Sequence, residues 1–117
     1  MKSLFAFAAV MLVAGKSSCN KSGNAVPEPL RKLFTHYIDG SINECRLNGS
    51  RVYSASINAY DAATLLYDSS GNQIGVCNYA WGPVDSNCRN LQSCETIYRG
   101  QKHISGEPFV DKYGLSK

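Results

Sequence analysis

The sequence predicts a small α+β domain in which one N-terminal amphipathic helix packs on an antiparallel sheet of hairpins, with disulfides stapling the assembly. Three observations carry that prediction. Leu30, Leu33, Phe34, Tyr37 and Ile38 recur at helical spacing, Asn48-Gly49 divides two alternating segments, and Cys45, Cys77, Cys88 and Cys94 form an even set of cysteines after a fifth near the start. A chain of 117 residues has room for one domain, and 18% charged residues with seven tyrosines exclude an acidic disordered tail or a coiled coil.

The first element is not part of that domain. Met1-Lys2 places a positive charge ahead of an apolar run from Leu4 to Gly15. A run of that length behind a basic start reads as an export signal, and it is shorter than the roughly 18–20 residues a membrane-spanning helix needs. The signal is assigned to residues 1–18. Ser17-Ser18-Cys19-Asn20, at the end of the apolar block, resembles a bacterial lipoprotein signal. The resemblance implies cleavage before Cys19 and a diacylglycerol on its sulfur; plain secretion with Cys19 removed is the alternative. Residues 19–29, polar and containing Gly and Pro, then read as a tether carrying the lipidated Cys19.

Loss of residues 1–18 removes Lys2 and Lys16, so ten basic residues face nine acidic ones and the formal charge falls from +3 to +1. The remaining bases are scattered. No Lys/Arg stripe of the kind phosphate binding needs is present, and no nucleic-acid partner is expected.

Residues 30–117 form the predicted domain. The apolar stripe of Leu30 to Ile38 lies on one side of a helix, with Arg31, Lys32, Thr35 and His36 on the other. Pro29 suits its first turn, and Gly40 suits a left-handed C-terminal cap. A helix this short is unstable alone, so the stripe is expected to pack on a sheet. Asn48-Gly49 is a type I′ hairpin signature, because both positions tolerate positive φ. It sets Arg46 opposite Arg51 and Cys45 opposite Val52, with Cys45, Leu47 and Val52 on the core face. The arginine pair is unfavourable unless Glu44 or an external anion intervenes. Asn58 to Thr64 is too short and mixed to assign. Leu65-Leu66-Tyr67 and Gln73 to Cys77 form a second hairpin around Asp68-Ser69-Ser70-Gly71-Asn72, a turn built on Asp and Gly; its spacing does not match a calcium loop.

From Val52 to Cys88, the Leu-Tyr-Asp-x-x-Gly-Asn-x-Ile run followed by two cysteines around a Gly/Pro loop resembles small Bacteroidetes-type lipoproteins of uncharacterised function. The resemblance covers about a third of the chain. It implies a helix ahead of a few antiparallel strands, and no known activity.

The four cysteines after the signal read as a disulfide framework of an exported domain. Three pairings are open. The favoured one closes a loop with Cys77–Cys88 and ties the first hairpin to the last segment with Cys45–Cys94. A zinc site from Cys77, Cys88, Cys94 and His36 or His103 lacks the local ligand spacing zinc sites use, and both histidines read as surface residues. No nucleophile elbow, paired catalytic carboxylates or phosphate-binding glycine loop is present, so no catalytic residue, metal or cofactor is assigned. The loop Asn78-Tyr79-Ala80-Trp81-Gly82-Pro83 holds the only tryptophan, and aromatic anchors on a closed loop suit binding. Tyr79 and Trp81 are the candidate binding residues, and a Trp81 folded into the core is the competing reading.

Three functions are thereby open. The first is an exported, lipid-anchored cell-envelope protein of the outer membrane, a binding or inhibitor-type module for a protein or glycan. The second is a structural or accessory envelope lipoprotein without a discrete site, and the third a secreted small hydrolase, which the missing motifs disfavour.

Overall fold

The computed structural model describes residues 26–78 and 84–117. The export signal, Cys19, Tyr79 and Trp81 lie outside the described residues. The described chain forms one six-stranded antiparallel sheet with two short helices.

The amphipathic stretch forms α1, Glu28–His36, with Pro29 in its first turn and Glu28 at the positive end of the helix dipole. The amides of Leu30 and Arg31 are bonded to the Pro27 carbonyl, both at 3.1 Å. The helix starts ahead of the apolar spacing, and Val26 already packs on the core, so the folded unit reaches into the segment expected to be a tether. The stripe divides at its end: Leu30, Leu33 and Tyr37 are buried, whereas Ile38 is 50% exposed. The helix stops at Tyr37 (φ −127°), where two tertiary bonds redirect the chain. The Tyr37 hydroxyl meets that of Tyr67 at 2.8 Å, and the Tyr98 hydroxyl donates to the Ile38 carbonyl at 2.6 Å.

Gly40 is not the expected left-handed cap. It is absent from the positive-φ glycines and lies against the end of the second strand, where a Cβ would overlap the Ser56 carbonyl oxygen and come within 3.0 Å of the Ile57 Cα. Gly100 approaches from the other side, donating its amide to the Gly40 carbonyl at 2.9 Å, with its own Cβ position 2.7 Å from the Ile38 carbonyl oxygen. Two bare backbones are required because three chain segments converge there.

The strands are β1 (Ser41–Leu47), β2 (Ser50–Ser56), β3 (Thr64–Asp68), β4 (Gln73–Cys77), β5 (Gln92–Arg99) and β6 (Val110–Asp111). Their order across the sheet is β4-β3-β2-β1-β5-β6. The β1–β2 turn has positive φ at Asn48 (52°) and Gly49 (84°), and the register sets Cys45 opposite Val52 and Arg46 opposite Arg51. Such a turn matches the right-handed strand twist. In the β3–β4 turn the Asp68 carboxylate accepts the amides of Ser70 (3.0 Å) and Asn72 (2.9 Å), and these bonds lower the Asp68 pKa.

The sheet is covered on both faces. Ile42, Ala55 and Tyr98 are cross-strand partners on one face, where they join Leu30, Leu33 and Tyr37 of α1 in one buried cluster. Cys45, Val52 and Leu66 belong to a second cluster with Cys77 and Cys88, closed by Val84 and Leu91 of the β4–β5 connection. That connection contains α2, Ser86–Arg89. The pairing of β5 with β1 slips twice, between Ile42 and Asn43 and between Glu44 and Arg46. The first slip lets the consecutive residues Ile97 and Tyr98 enter the same cluster.

Cys77 pairs with Cys88 and Cys45 with Cys94. Cross-links of this kind belong to an oxidising compartment, and among the described residues no helix is long and apolar enough to cross a membrane.

Candidate functional site

The disulfide loop is moored to the sheet at both ends. Cys77 ends β4 and is 1% exposed, while Cys88 in α2 is 5% exposed. Asp85 caps α2 by accepting the Asn87 amide at 2.9 Å. The Asn87 side chain then reaches back to the Ile74 carbonyl at 3.3 Å, and the Arg89 guanidinium to the Val84 carbonyl at 2.7 Å. Gly75 leaves room for Asp85, whose carboxylate lies 3.4 Å from the position of a Cβ there. Asn87 therefore adds one side-chain bond to the sheet beside the cross-link, while Asp85 and Arg89 bond within residues 84–89 and brace that segment on itself. Sequence reasoning found the loop and its cysteines but not these three residues; Asp85 three positions ahead of Cys88, in a turn-rich stretch, is the signal that could have shown the cap.

The face that carries Cys45 is apolar where Val84, Cys88 and Leu91 cover it. Farther along the strands it becomes a row of hydroxyls and amides. Thr96 Oγ1 donates to Asn43 Oδ1 at 2.8 Å, Asn43 Nδ2 reaches the Ser54 hydroxyl at 3.4 Å, and the hydroxyls of Ser41 and Ser56 lie 3.4 Å apart. Arg99 closes the row: its guanidinium lies 3.5 Å from Thr96 Oγ1, 3.2 Å from the Pro108 carbonyl and 3.3 Å from the Glu107 carboxylate. Ser54 within this row is 5% exposed, so its hydroxyl is served by the row rather than by bulk water. Its Asn43–Ser54 and Ser41–Ser56 contacts cross the β1–β2 hairpin, whereas Thr96 and Arg99 join from β5, distant in sequence and not visible in any local pattern.

The opposite face carries a charged group at the hairpin end. Arg51 Nε bonds Glu44 at 3.3 Å, the Tyr113 hydroxyl donates to Glu44 at 2.9 Å, and Lys112 Nζ holds both oxygens of Glu95 at 2.8 and 3.0 Å. Glu44 pairs with Arg51 of the two facing arginines, and Tyr113 binds it from the C-terminal segment. The hydrogen bond to Tyr53 is the main cause of the raised Arg51 pKa.

His36 is exposed, at the rim of a depression of about 490 Å³ lined by Thr35, Ile38, Asp39, Ile57 and Asn58. His103 differs from the surface residue its sequence context suggests. It is half-buried, its Nδ1 accepts the Ser105 amide at 3.2 Å, and its Nε2 is shielded from solvent without a hydrogen-bond partner among the described residues. Among the described residues, the four cysteines are all consumed in disulfides and leave no thiolate for His36 or His103 to share a metal with. Among the described residues no group of three or more His, Cys, Asp or Glu side chains is placed to hold a metal ion.

No family model, curated protein or solved structure matches the chain. The geometry alone bears on what the domain does. Residues 84–91 and a row of hydrogen-bonding side chains share one sheet face.

Proposed function

We propose that this chain is an exported cell-envelope protein anchored at the outer membrane through a lipid on Cys19, and that its folded domain is a binding module for a protein or glycan. The observation that carries the reading is the closure of the Cys77–Cys88 loop by its disulfide and by the Asn87 bond to Ile74 of β4, with Asp85 and Arg89 bracing residues 84–89. A loop held at both ends loses little conformational entropy when a partner docks, so its aromatic residues contribute more of their contact energy to binding. Tyr79 and Trp81 are the proposed contact residues. The Ser41–Asn43–Ser54–Thr96–Arg99 row on the same face supplies directional hydrogen bonds that suit a hydroxyl-rich or peptide ligand.

Capture of envelope components on the immobilised domain tests this reading, alongside the Trp81→Ala and Tyr79→Ala variants. Lost capture with unchanged thermal stability supports a contact role; a large loss of stability places the ring in the core and overturns it. Mass spectrometry of the protein from its native membrane tests the anchor: a diacylglyceryl group on Cys19 is expected, and an unmodified or absent Cys19 refutes it.

A further inference from the structure

The two disulfides are unequal in their access to solvent. Cys77 and Cys88 are both buried, at 1% and 5% exposure, in the apolar cluster with Cys45, Val52 and Leu66. Cys45 is equally buried at 1%, but its partner Cys94 is an exposed residue. The cause is the second slip in the β1–β5 pairing. Glu44 pairs with Glu95 and Arg46 with Gln92, so β5 accommodates an extra residue there, and Ser93 takes a positive φ of 54°. The bulge lifts Cys94 over Cys45, their Cα atoms 4.0 Å apart. This part of β5 is also a sheet margin, because β6 pairs only with Tyr98 and Arg99.

From this asymmetry we infer that Cys45–Cys94 is a thiol-exchange site, attacked at Cys94, whereas Cys77–Cys88 is a permanent cross-link. Disulfide exchange requires a thiolate to approach one sulfur from the side opposite the other. Cys94 is the exposed residue of its pair and its partner Cys45 belongs to the core, so the reachable end is Cys94; at Cys77–Cys88 both residues are buried. The incoming thiolate bonds to Cys94 Sγ, the Sγ–Sγ bond breaks, and its electron pair leaves on Cys45 Sγ, which takes a proton from solvent. Cys45 is then a small apolar thiol beside Leu47, Val52 and Leu66, a setting that suits it. Burial disfavours the departing thiolate and slows the step without redirecting it. With a monothiol the product is a mixed disulfide on Cys94. With a dithiol, the second thiol of the donor attacks the donor sulfur of that mixed disulfide and expels Cys94 as a thiolate. The protein then gains two electrons and the donor becomes a cyclic disulfide. The far half of β5 is retained by the Tyr98–Ile38 bond and by its pairing with β1 and β6, so the reduced form stays folded.

The test uses the full oxidised chain under native conditions, exposed to reduced glutathione in one arm and dithiothreitol in the other. Samples are quenched in acid, alkylated and mapped by peptide mass spectrometry. In the dithiothreitol arm, thiols at Cys45 and Cys94 are expected at least about tenfold faster than at Cys77 and Cys88, with the difference collapsing in denaturant. In the glutathione arm the adduct is expected on Cys94 with a free thiol at Cys45. Equal native rates, earlier opening of Cys77–Cys88, or an adduct on Cys45 would overturn the assignment. Because the readout is the order of reduction, the outcome is independent of whether the loop binds a partner.

Discussion

Replacing Gly40 with alanine tests the convergence of backbones at the end of the sheet. The added Cβ meets three backbone atoms, the Ser56 carbonyl oxygen and carbon and the Ile57 Cα. None of these can rotate away, because Ser56 is paired with Ser41 and the Gly40 carbonyl is held by the Gly100 amide. Overpacking of this kind costs about 1–3 kcal/mol, and a contact with fixed backbone belongs at the upper end. Alanine also restricts the unfolded chain, which returns about 0.4–1 kcal/mol. The net expectation is a loss of about 2 kcal/mol, which in a domain of this size lowers Tm by about 8–16 °C. Gly49→Ala is the control: nothing lies within 4 Å of its Cβ position, and only its φ of 84° opposes the change, at about 1–2 kcal/mol before the same unfolded-state return. Equilibrium unfolding in urea with both disulfides intact, followed by near-ultraviolet circular dichroism, measures both. A Gly40→Ala protein within about 0.5 kcal/mol of the parent, or less destabilised than Gly49→Ala, would refute the packing argument.

Other expectations follow from the hydrogen bonds and the pKa directions. Burial, with the bond to Tyr67, raises the Tyr37 pKa well above its ordinary value, so its stabilising contribution is intact below about pH 10 and declines as pH rises beyond it, where the unfolded chain ionises first. Alkaline unfolding should show this ionisation arriving with the loss of structure; removing the hydroxyl in Tyr37→Phe should cost about 0.5–1.5 kcal/mol, most of it absent when Tyr67 is already Phe. At Asp111, burial raises the carboxyl pKa, but bonds from Ser116 and from the Leu115 amide (2.6 Å) outweigh it and hold the group below its usual range. Its stability is therefore present above about pH 4 and lost on further acidification, and amide exchange at Leu115 and Ser116 should quicken there before the sheet opens. Glu44→Gln removes the carboxylate paired with Arg51, which faces Arg46 across the hairpin, and should cost about 0.2–1 kcal/mol at low salt, a difference that shrinks as salt screens the arginines.

Local chemistry was legible in the sequence; the partners of each element were not. The type I′ turn at Asn48-Gly49 and the Asp68 turn could be read because each is set by residues within a few positions of one another. The buried trio of Cys45, Leu47 and Val52 followed from the register that the first turn imposes. β5 escaped notice because its two slips break the alternation that marks a strand, leaving Ile97 and Tyr98 buried side by side and Cys94 exposed. Gly40 was misread because a left-handed cap and a close backbone approach both call for glycine, and only the neighbouring chain distinguishes them. Of the candidate site, the cysteines were legible, and the observed pairing is the favoured one of the three the sequence left open; the Asp85, Asn87 and Arg89 bonds and the Asn43–Thr96 bond were not, the latter joining residues on strands far apart in the chain.

By itself the sequence determined which cysteines were available to cross-link, where the chain turns back on itself, and which stretch has an apolar side. These depend on covalent supply, backbone φ and short-range periodicity, quantities a chain carries locally. The tertiary structure alone decided that β1 lies between β2 and β5, that two separate apolar clusters sandwich the sheet, and that one disulfide is buried while the other has an exposed end. The reason is physical. Burial of a given sulfur or side chain is a property of what packs over it, and for Cys94 that was decided by a register slip against a strand some fifty residues earlier.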